Sequence, residues 1–191
     1  EILAALDLFS ERSTWMNINE YASNLLNDPV WRFYLRNLAQ EKSIVEFWAS
    51  QLKAIQNHLL TSNDSFVVQM PTSAGRTFIA ELAILASLTT DTDTRCLYIA
   101  PYRALVNEVQ SHLSSVLGKL GNRVSTLAGG FEFDTCQNFL LTQAHVLVTT
   151  PEKVELLVRT KPDYFDEIAT IIVDEGHMID EGISTLEDLP E

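Results

Sequence analysis

Apolar residues recur along the chain in two rhythms, and the change between them falls near residue 43. Before it, Leu3, Leu6 and Phe9 share one helical face. Ile18, Tyr21, Leu25 and Leu26 form a second stripe that stops at Asn27-Asp28-Pro29, and Trp31, Tyr34, Leu35 and Leu38 form a third. Spacings of three and four residues put such side chains on one side of a helix, so residues 1–43 are predicted to be a helical N-terminal extension. Beyond it the pattern alternates. A helix over about 43–60 leads through Thr61-Ser62-Asn63-Asp64 into a predicted strand at 65–70. Further strands are predicted at 95–100, 123–128, 145–149 and 169–173, with helical patterns at 77–88, 102–117, 135–141 and 152–159. Continuous apolar strands separated by amphipathic helices are what a parallel sheet covered on both faces requires. The predicted fold class is therefore α/β over residues 44–191, with ligands expected beyond the carboxyl ends of the strands.

Composition narrows this picture. The 191 residues are 46% hydrophobic and 20% charged, with seven glycines and six prolines, which excludes collagen-like and wholly disordered chains. The formal net charge of −13 means that any nucleic-acid contact must come from a local patch, because the overall field repels phosphate. Cys96 and Cys136 fit no metal-ligand spacing, and Cys96 lies in the apolar run Cys96-Leu97-Tyr98-Ile99-Ala100, so a reducing intracellular compartment, cytoplasmic or nuclear, is expected. No stretch approaches the ~20 apolar residues of a membrane span, and no basic segment precedes an apolar one at the N-terminus, so no membrane partner is expected. Starting at Glu1 and ending at Glu191, the chain is expected to be a fragment.

The first chemical signal follows the predicted strand at 65–70. Met70-Pro71-Thr72-Ser73-Ala74-Gly75-Arg76-Thr77 opens a helix beginning Phe78-Ile79-Ala80. A phosphate loop needs small residues whose N–H groups curl round an anion, a helix N-terminus aimed at it, a cation for the outer phosphates, and a hydroxyl for Mg²⁺. Ser73, Ala74 and Gly75 supply the small residues, Arg76 the cation and Thr77 the hydroxyl. Met70 departs from the first glycine of G-x-x-x-x-G-K-[ST], and Arg76 replaces its lysine. The plainer reading is a tight strand-to-helix turn capped by Thr77.

A phosphate loop also needs an acidic partner at the end of another buried strand, and Ile171-Ile172-Val173-Asp174-Glu175-Gly176-His177 offers one. Asp174 suits Mg²⁺ held through water, Glu175 suits polarisation of an attacking water, and His177 suits contact with the nucleotide and neighbouring elements. Taken alone, the same residues read as a simple strand exit.

Over about residues 44–183 these motifs resemble the DExH-box helicases of superfamily 2, in the branch holding the superkiller-type RNA helicases and theta-type DNA repair helicases. Residues 71–77 resemble motif I, and Asp174-Glu175-Gly176-His177 resembles motif II. Ile99-Ala100-Pro101-Tyr102-Arg103-Ala104-Leu105 is similar to motif Ia, Gly129-Gly130 to the glycine pair after the next strand, and Val148-Thr149-Thr150-Pro151-Glu152-Lys153 to motif Ib. Phe47 with Gln51 resembles the adenine-reading Q motif, although Gln51 also reads as a solvent-facing helix residue. Locally, residues 101–103 can be only a helix start and residues 150–152 only an N-cap, a proline at N1 and an acidic first turn.

The resemblance implies a RecA-like fold with a mostly parallel sheet, ATP and Mg²⁺ as cofactors, and Glu175, Asp174 and Arg76 as catalytic groups. It also implies a track for single-stranded nucleic acid at Pro101, Arg103, Ala104, Gly129, Gly130, Thr150, Pro151 and Lys153, built largely from backbone N–H groups. DNA is favoured over RNA on the Pro-Thr-Ser-Ala-Gly spelling. A second RecA-like domain in the parent protein is implied as partner, with a protein partner a further expectation. Because that second domain closes the ATP site and supplies an arginine, and motif III's Ser-Ala-Thr does not occur in this sequence, the chain is expected to bind ATP without hydrolysing it or unwinding duplex alone. Arg76 leaves two classes open: a motor with an unusual loop, and a nucleotide- or DNA-binding scaffold that has lost turnover. An unrelated phosphate-loop enzyme such as a kinase would leave residues 150–152 and 174–177 unexplained.

Overall fold

The structure, a computed structural model, describes residues 9–71, 74–91, 93–127 and 135–178. The chain divides into two compact units, Glu1–Thr92 and Asp93–Glu191.

In the first unit, α1 (Thr14–Tyr21) and a 3₁₀ turn (Ser23–Asn27) lead into α2 (Pro29–Glu41). Asp28 starts α2 by accepting from Val30 N–H at 2.7 Å, with Pro29 at the first position, where its missing N–H costs nothing. The predicted stripe of α2 is the buried one: Trp31, Tyr34, Leu35 and Leu38. Residues 43–60 were expected as one helix, but only α3 (Ala49–Gln56) is helical. Residues 43–48 are instead tied to the start of α1 and the residues just before it, Phe47 N–H donating to Arg12 O at 2.7 Å and Thr14 N–H to Val45 O at 2.9 Å. The last helix of this unit, α4 (Arg76–Thr90), buries Ile79, Leu82, Ile84, Leu85, Ala86 and Leu88. That spread is wider than one amphipathic stripe, the mark of a helix covered on more than one side.

The expected strand at 65–70 does not form. These residues have no strand geometry, and Val67 is fully exposed. The described part of this unit contains no strand for them to pair with, and an unpaired strand leaves its N–H and C=O groups to water.

The second unit is the parallel α/β arrangement expected. Its elements run β1 (Arg95–Ile99), α5 (Arg103–Leu117), β2 (Val124–Thr126), α6 (Thr135–Gln143), β3 (Val146–Thr149), α7 (Pro151–Thr160), a 3₁₀ turn (Pro162–Glu167) and β4 (Ile168–Val173). The sheet order is β2-β3-β1-β4, every pair parallel, with Leu97 beside Leu147 on one side and Ile171 on the other. Leu97, Leu127, Leu141, Leu147 and Leu157 form the core on one face. β3 is buried throughout, whereas β4 alternates, leaving Ile171 54% and Val173 43% exposed. The expectation of a sheet covered on both faces therefore holds at β3 and not at β4. Because all four strands are parallel, their carboxyl ends lie on one edge.

Candidate nucleotide and nucleic-acid site

The loop before α4 takes its shape from Gly75, the N-cap, which has φ +74°, a left-handed conformation that glycine adopts without a Cβ penalty. Ala74 N–H donates to Pro71 O at 3.0 Å, and Gly75 O accepts from Phe78 and Ile79 N–H. No side chain caps α4 at Gly75, so Thr77 sits within the first turn and does not cap it as the plainer reading required. A helix N-terminus without a side-chain cap keeps its partial positive charge available for an anion. Thr72 and Ser73 lie outside the described residues.

Gln51 does not face solvent. It is buried on α3, its Oε1 accepting from Trp48 N–H at 2.9 Å and its Nε2 donating to Ala74 O at 2.9 Å. A primary amide has two hydrogens and two lone pairs, so one of each remains beyond these two bonds. Bidentate recognition of an adenine edge requires that combination. Phe47 is 1% exposed and packs against Phe78, ring centroids 6.0 Å apart. Its ring therefore belongs to the interior behind the loop. The exposed aromatic here is Trp48, at 57%, on an open cavity of about 520 Å³ shared with Arg12 and residues 43–49. Sequence reading passed over Trp48 because an aromatic beside a buried one reads as core.

In the second unit the acidic turn follows β4 directly. Asp174 N–H donates to Ile99 O at 2.9 Å, extending the ladder by one rung. Its Oδ2 accepts from the Tyr98 hydroxyl at 2.8 Å and its Oδ1 from Glu175 N–H at 2.9 Å. Glu175 has φ +52°, a sparsely populated conformation for a non-glycine residue. Its Oε2 lies 3.3 Å from Nδ1 of the exposed His177. The two carboxylate oxygens of Asp174 are hard donors of the kind Mg²⁺ takes, directly or through water. Mg²⁺ characteristically takes one or two carboxylates plus water and phosphate rather than an all-protein cage.

Farther along the same edge, Arg103 at the start of α5 and Thr150 and Lys153 at the start of α7 surround a cavity of about 180 Å³ with Val106, Asn107, Thr126 and Leu127. Pro151 is the first residue of α7, while Pro101 and Ala104 flank the start of α5. Glu152, also in the first turn of α7, has its carboxyl held below the usual value. A hydrogen bond from Thr150 is the main cause, helped by backbone N–H and the Arg103 charge and opposed by slight burial. Asn107 and Thr126 were not singled out from sequence, since neither stands in a motif. Gly129 and Gly130 lie outside the described residues.

A model of the DEAD/DEAH box helicase family matches residues 48–189, a span that includes the loop, the acidic turn and the cavity residues. The chain belongs to the DEAD/DEAH box helicases. Among helicase relatives and their kin, it is 39% identical over 171 residues to the Hachiman protein HamB of Bacillus cereus, covering 90% of this chain and 15% of that protein. It is 30% identical over 148 residues to the ATP-dependent DNA helicase Hel308 of Methanocaldococcus jannaschii, covering 75% and 12%. The chain thus spans less than a fifth of the length of either relative. Its fold is also that of the RNA-helicase Prp28 from Chaetomium thermophilum bound to ADP, with TM-score 0.64, 24% identity, and 83% and 41% of the two chains covered. The helicase MrfA bound to DNA and AMPPNP gives TM-score 0.64 at 21% identity over 79% and 21%. For a helicase of this family, Tyr98 is the residue at the acidic turn that sequence reading missed. A lone tyrosine in an apolar strand carries no motif signal. No helix among the described residues is long and apolar enough to cross a membrane.

Proposed function

We propose that residues 44–191 are the first RecA-like motor domain of an ATP-dependent helicase of the superkiller-type and theta-type branch, with residues 1–43 a helical extension. The observation that carries this is the gathering of residues 101–105, 150–153 and 174–177 on the one edge where all four parallel strands end. ATP is held at residues 71–77, with Gln51 reading the adenine edge and Phe47 supporting the loop from inside. Thr77 and Asp174 would each offer an oxygen to Mg²⁺, which when bound neutralises charge on the outer phosphates. Glu175 polarises the attacking water, and His177 orients Glu175. Strand phosphates lie along Pro101, Arg103, Ala104, Gly129, Gly130, Thr150, Pro151 and Lys153, met by helix N-termini and a few cations, which is how a chain of charge −13 binds a polyanion. DNA is the favoured strand, supported by the relative named as a DNA helicase. Turnover needs a second RecA-like domain, which closes such sites and supplies an arginine.

A second reading, an inactive nucleotide- or DNA-binding scaffold, is favoured by Arg76, because a planar guanidinium does not fit where a compact ammonium does. ATP hydrolysis by the full-length protein, with and without single-stranded DNA or RNA, separates the two. Stimulation by DNA above RNA supports the motor. No hydrolysis with any strand, in the natural protein and in Arg76→Lys alike, would leave the scaffold standing.

A further inference from the structure

We infer that Tyr98 is a positioning residue for Asp174, setting the direction in which its carboxylate meets the hydrated Mg²⁺; this rests on the reading of Asp174 as the metal-holding carboxylate. Tyr98 is the fourth of the five residues of β1, 2% exposed, between Leu97 and Ile99. It pairs in register with Ile172 of β4. Side chains alternate across a strand, so Asp174, two residues beyond Ile172, returns to the face that Tyr98 occupies. A diagonal neighbour at that offset is within reach of an aromatic side chain. The hydroxyl closes the gap at 2.8 Å to Oδ2, while Glu175 N–H holds Oδ1 at 2.9 Å.

Two donors on two different oxygens fix the carboxylate's torsion, which one donor would leave free to swing. Each oxygen retains lone-pair capacity, now aimed in one direction. Carboxylates that hold metals are commonly oriented by such outer hydrogen bonds, whose loss typically weakens metal affinity about 10–100-fold. A phenylalanine would fill the same space in β1, so packing alone does not call for the hydroxyl.

The test is Tyr98→Phe in the full-length protein, following a fluorescent non-hydrolysable ATP analogue in EDTA and across a Mg²⁺ titration. The expected result is unchanged metal-free affinity and a half-saturating Mg²⁺ concentration raised at least about tenfold. It should come with lost kcat that excess Mg²⁺ partly restores. In an Asp174→Asn background, Tyr98→Phe should have no further effect on the Mg²⁺ midpoint. An unchanged midpoint in Tyr98→Phe, or an equal loss of affinity with and without Mg²⁺, overturns the assignment while leaving Asp174's role intact. An unchanged midpoint in Asp174→Asn itself overturns the reading of Asp174, and the role of Tyr98 with it. Thermal unfolding of each variant, measured alongside, separates loss of folded protein from loss of metal coupling.

Discussion

Gln51 occupies the space that a side chain at Gly75 would need: its Nε2 lies 2.5 Å from the position of a Cβ built there, while donating to Ala74 O at 2.9 Å. The glutamine and the glycine are thus two halves of one device, which holds the loop backbone against α3 and turns it left-handed into α4. Gly75→Ala should therefore combine backbone strain of about 1–2 kcal/mol with displacement of the amide. The expected outcome is at least about a tenfold loss of ATP-analogue affinity, measured by fluorescence titration. Gln51→Ala in the same chain should relieve the steric part and leave the strain. Wild-type affinity in Gly75→Ala would refute the device.

Arg76→Lys in the full-length protein should raise kcat at least about tenfold, equivalent to ~1.4 kcal/mol of barrier, with a smaller change in ATP affinity. Binding draws on several backbone N–H groups, whereas turnover depends on placing the outer phosphate. Steady-state hydrolysis at saturating strand checks this, and an unchanged kcat would show a site adapted to arginine.

Tyr34 on α2 hydrogen-bonds Glu81 on α4, a carboxylate with no solvent exposure, with Lys42 at 3.9 Å from its other oxygen. Trp31 adds a bond from Nε1 to Thr89 Oγ1 at 2.9 Å. Helix α2 is thereby fastened to the helix that follows the phosphate loop. Tyr34→Phe removes a donor to a buried charge and should cost about 1–3 kcal/mol. Burial, then the Glu81 charge and the hydrogen bond to it, hold the Tyr34 phenol well above its usual value of 10.0. A raised folded value means that this contribution is complete below about pH 10 and is lost as pH climbs beyond it. Urea unfolding from pH 8 to 11 should show the alkaline loss in the natural sequence and a shallower one in Tyr34→Phe.

His145, at the entry to β3, accepts from Arg123 N–H through Nδ1 at 3.1 Å. Burial first, then the charges of Arg123 and Arg95, lower its imidazole below the usual 6.5. With the folded value depressed, the neutral ring stabilises the fold above about pH 6.5, and that contribution fades as pH falls. Denaturation between pH 5 and 7 should show this slope, and His145→Asn, which keeps an acceptor without a titrating ring, should flatten it. An identical slope in the variant would assign the effect elsewhere.

On single strands, Arg103→Glu should weaken binding and reduce the log–log salt slope by about 0.7, one phosphate's share. Glu175→Gln should leave strand affinity unchanged, since its proposed work is on water. Filter binding across 50–200 mM salt is the measurement. Strand-stimulated hydrolysis by the 191-residue chain alone would overturn the need for a second motor domain.

Local chemistry decided much of this protein before any tertiary contact. The starts of α4, α5 and α7, the four parallel strands and the acidic turn were legible because each depends on residues within a few positions: a glycine that turns left-handed, a proline at N1, an unbroken apolar run. Burial of Trp31, Tyr34, Leu35 and Leu38 was legible from spacing alone. Which partner each side chain meets was not, because periodicity names a face and leaves open what covers it. Residues 65–70 have every local mark of a strand and form none among the described residues, since pairing needs a neighbour supplied from elsewhere in the fold. Phe47 turned inward to Phe78 and left Trp48 exposed, a choice made by the contact with a ring from α4. Tyr98 and Asp174, 76 residues apart, meet only because β1 and β4 lie side by side in one register. The motif residues were thus written in the sequence, and the hydrogen bonds that aim them were decided by tertiary structure, because strand order and helix packing bring together donors and acceptors that no local spacing relates.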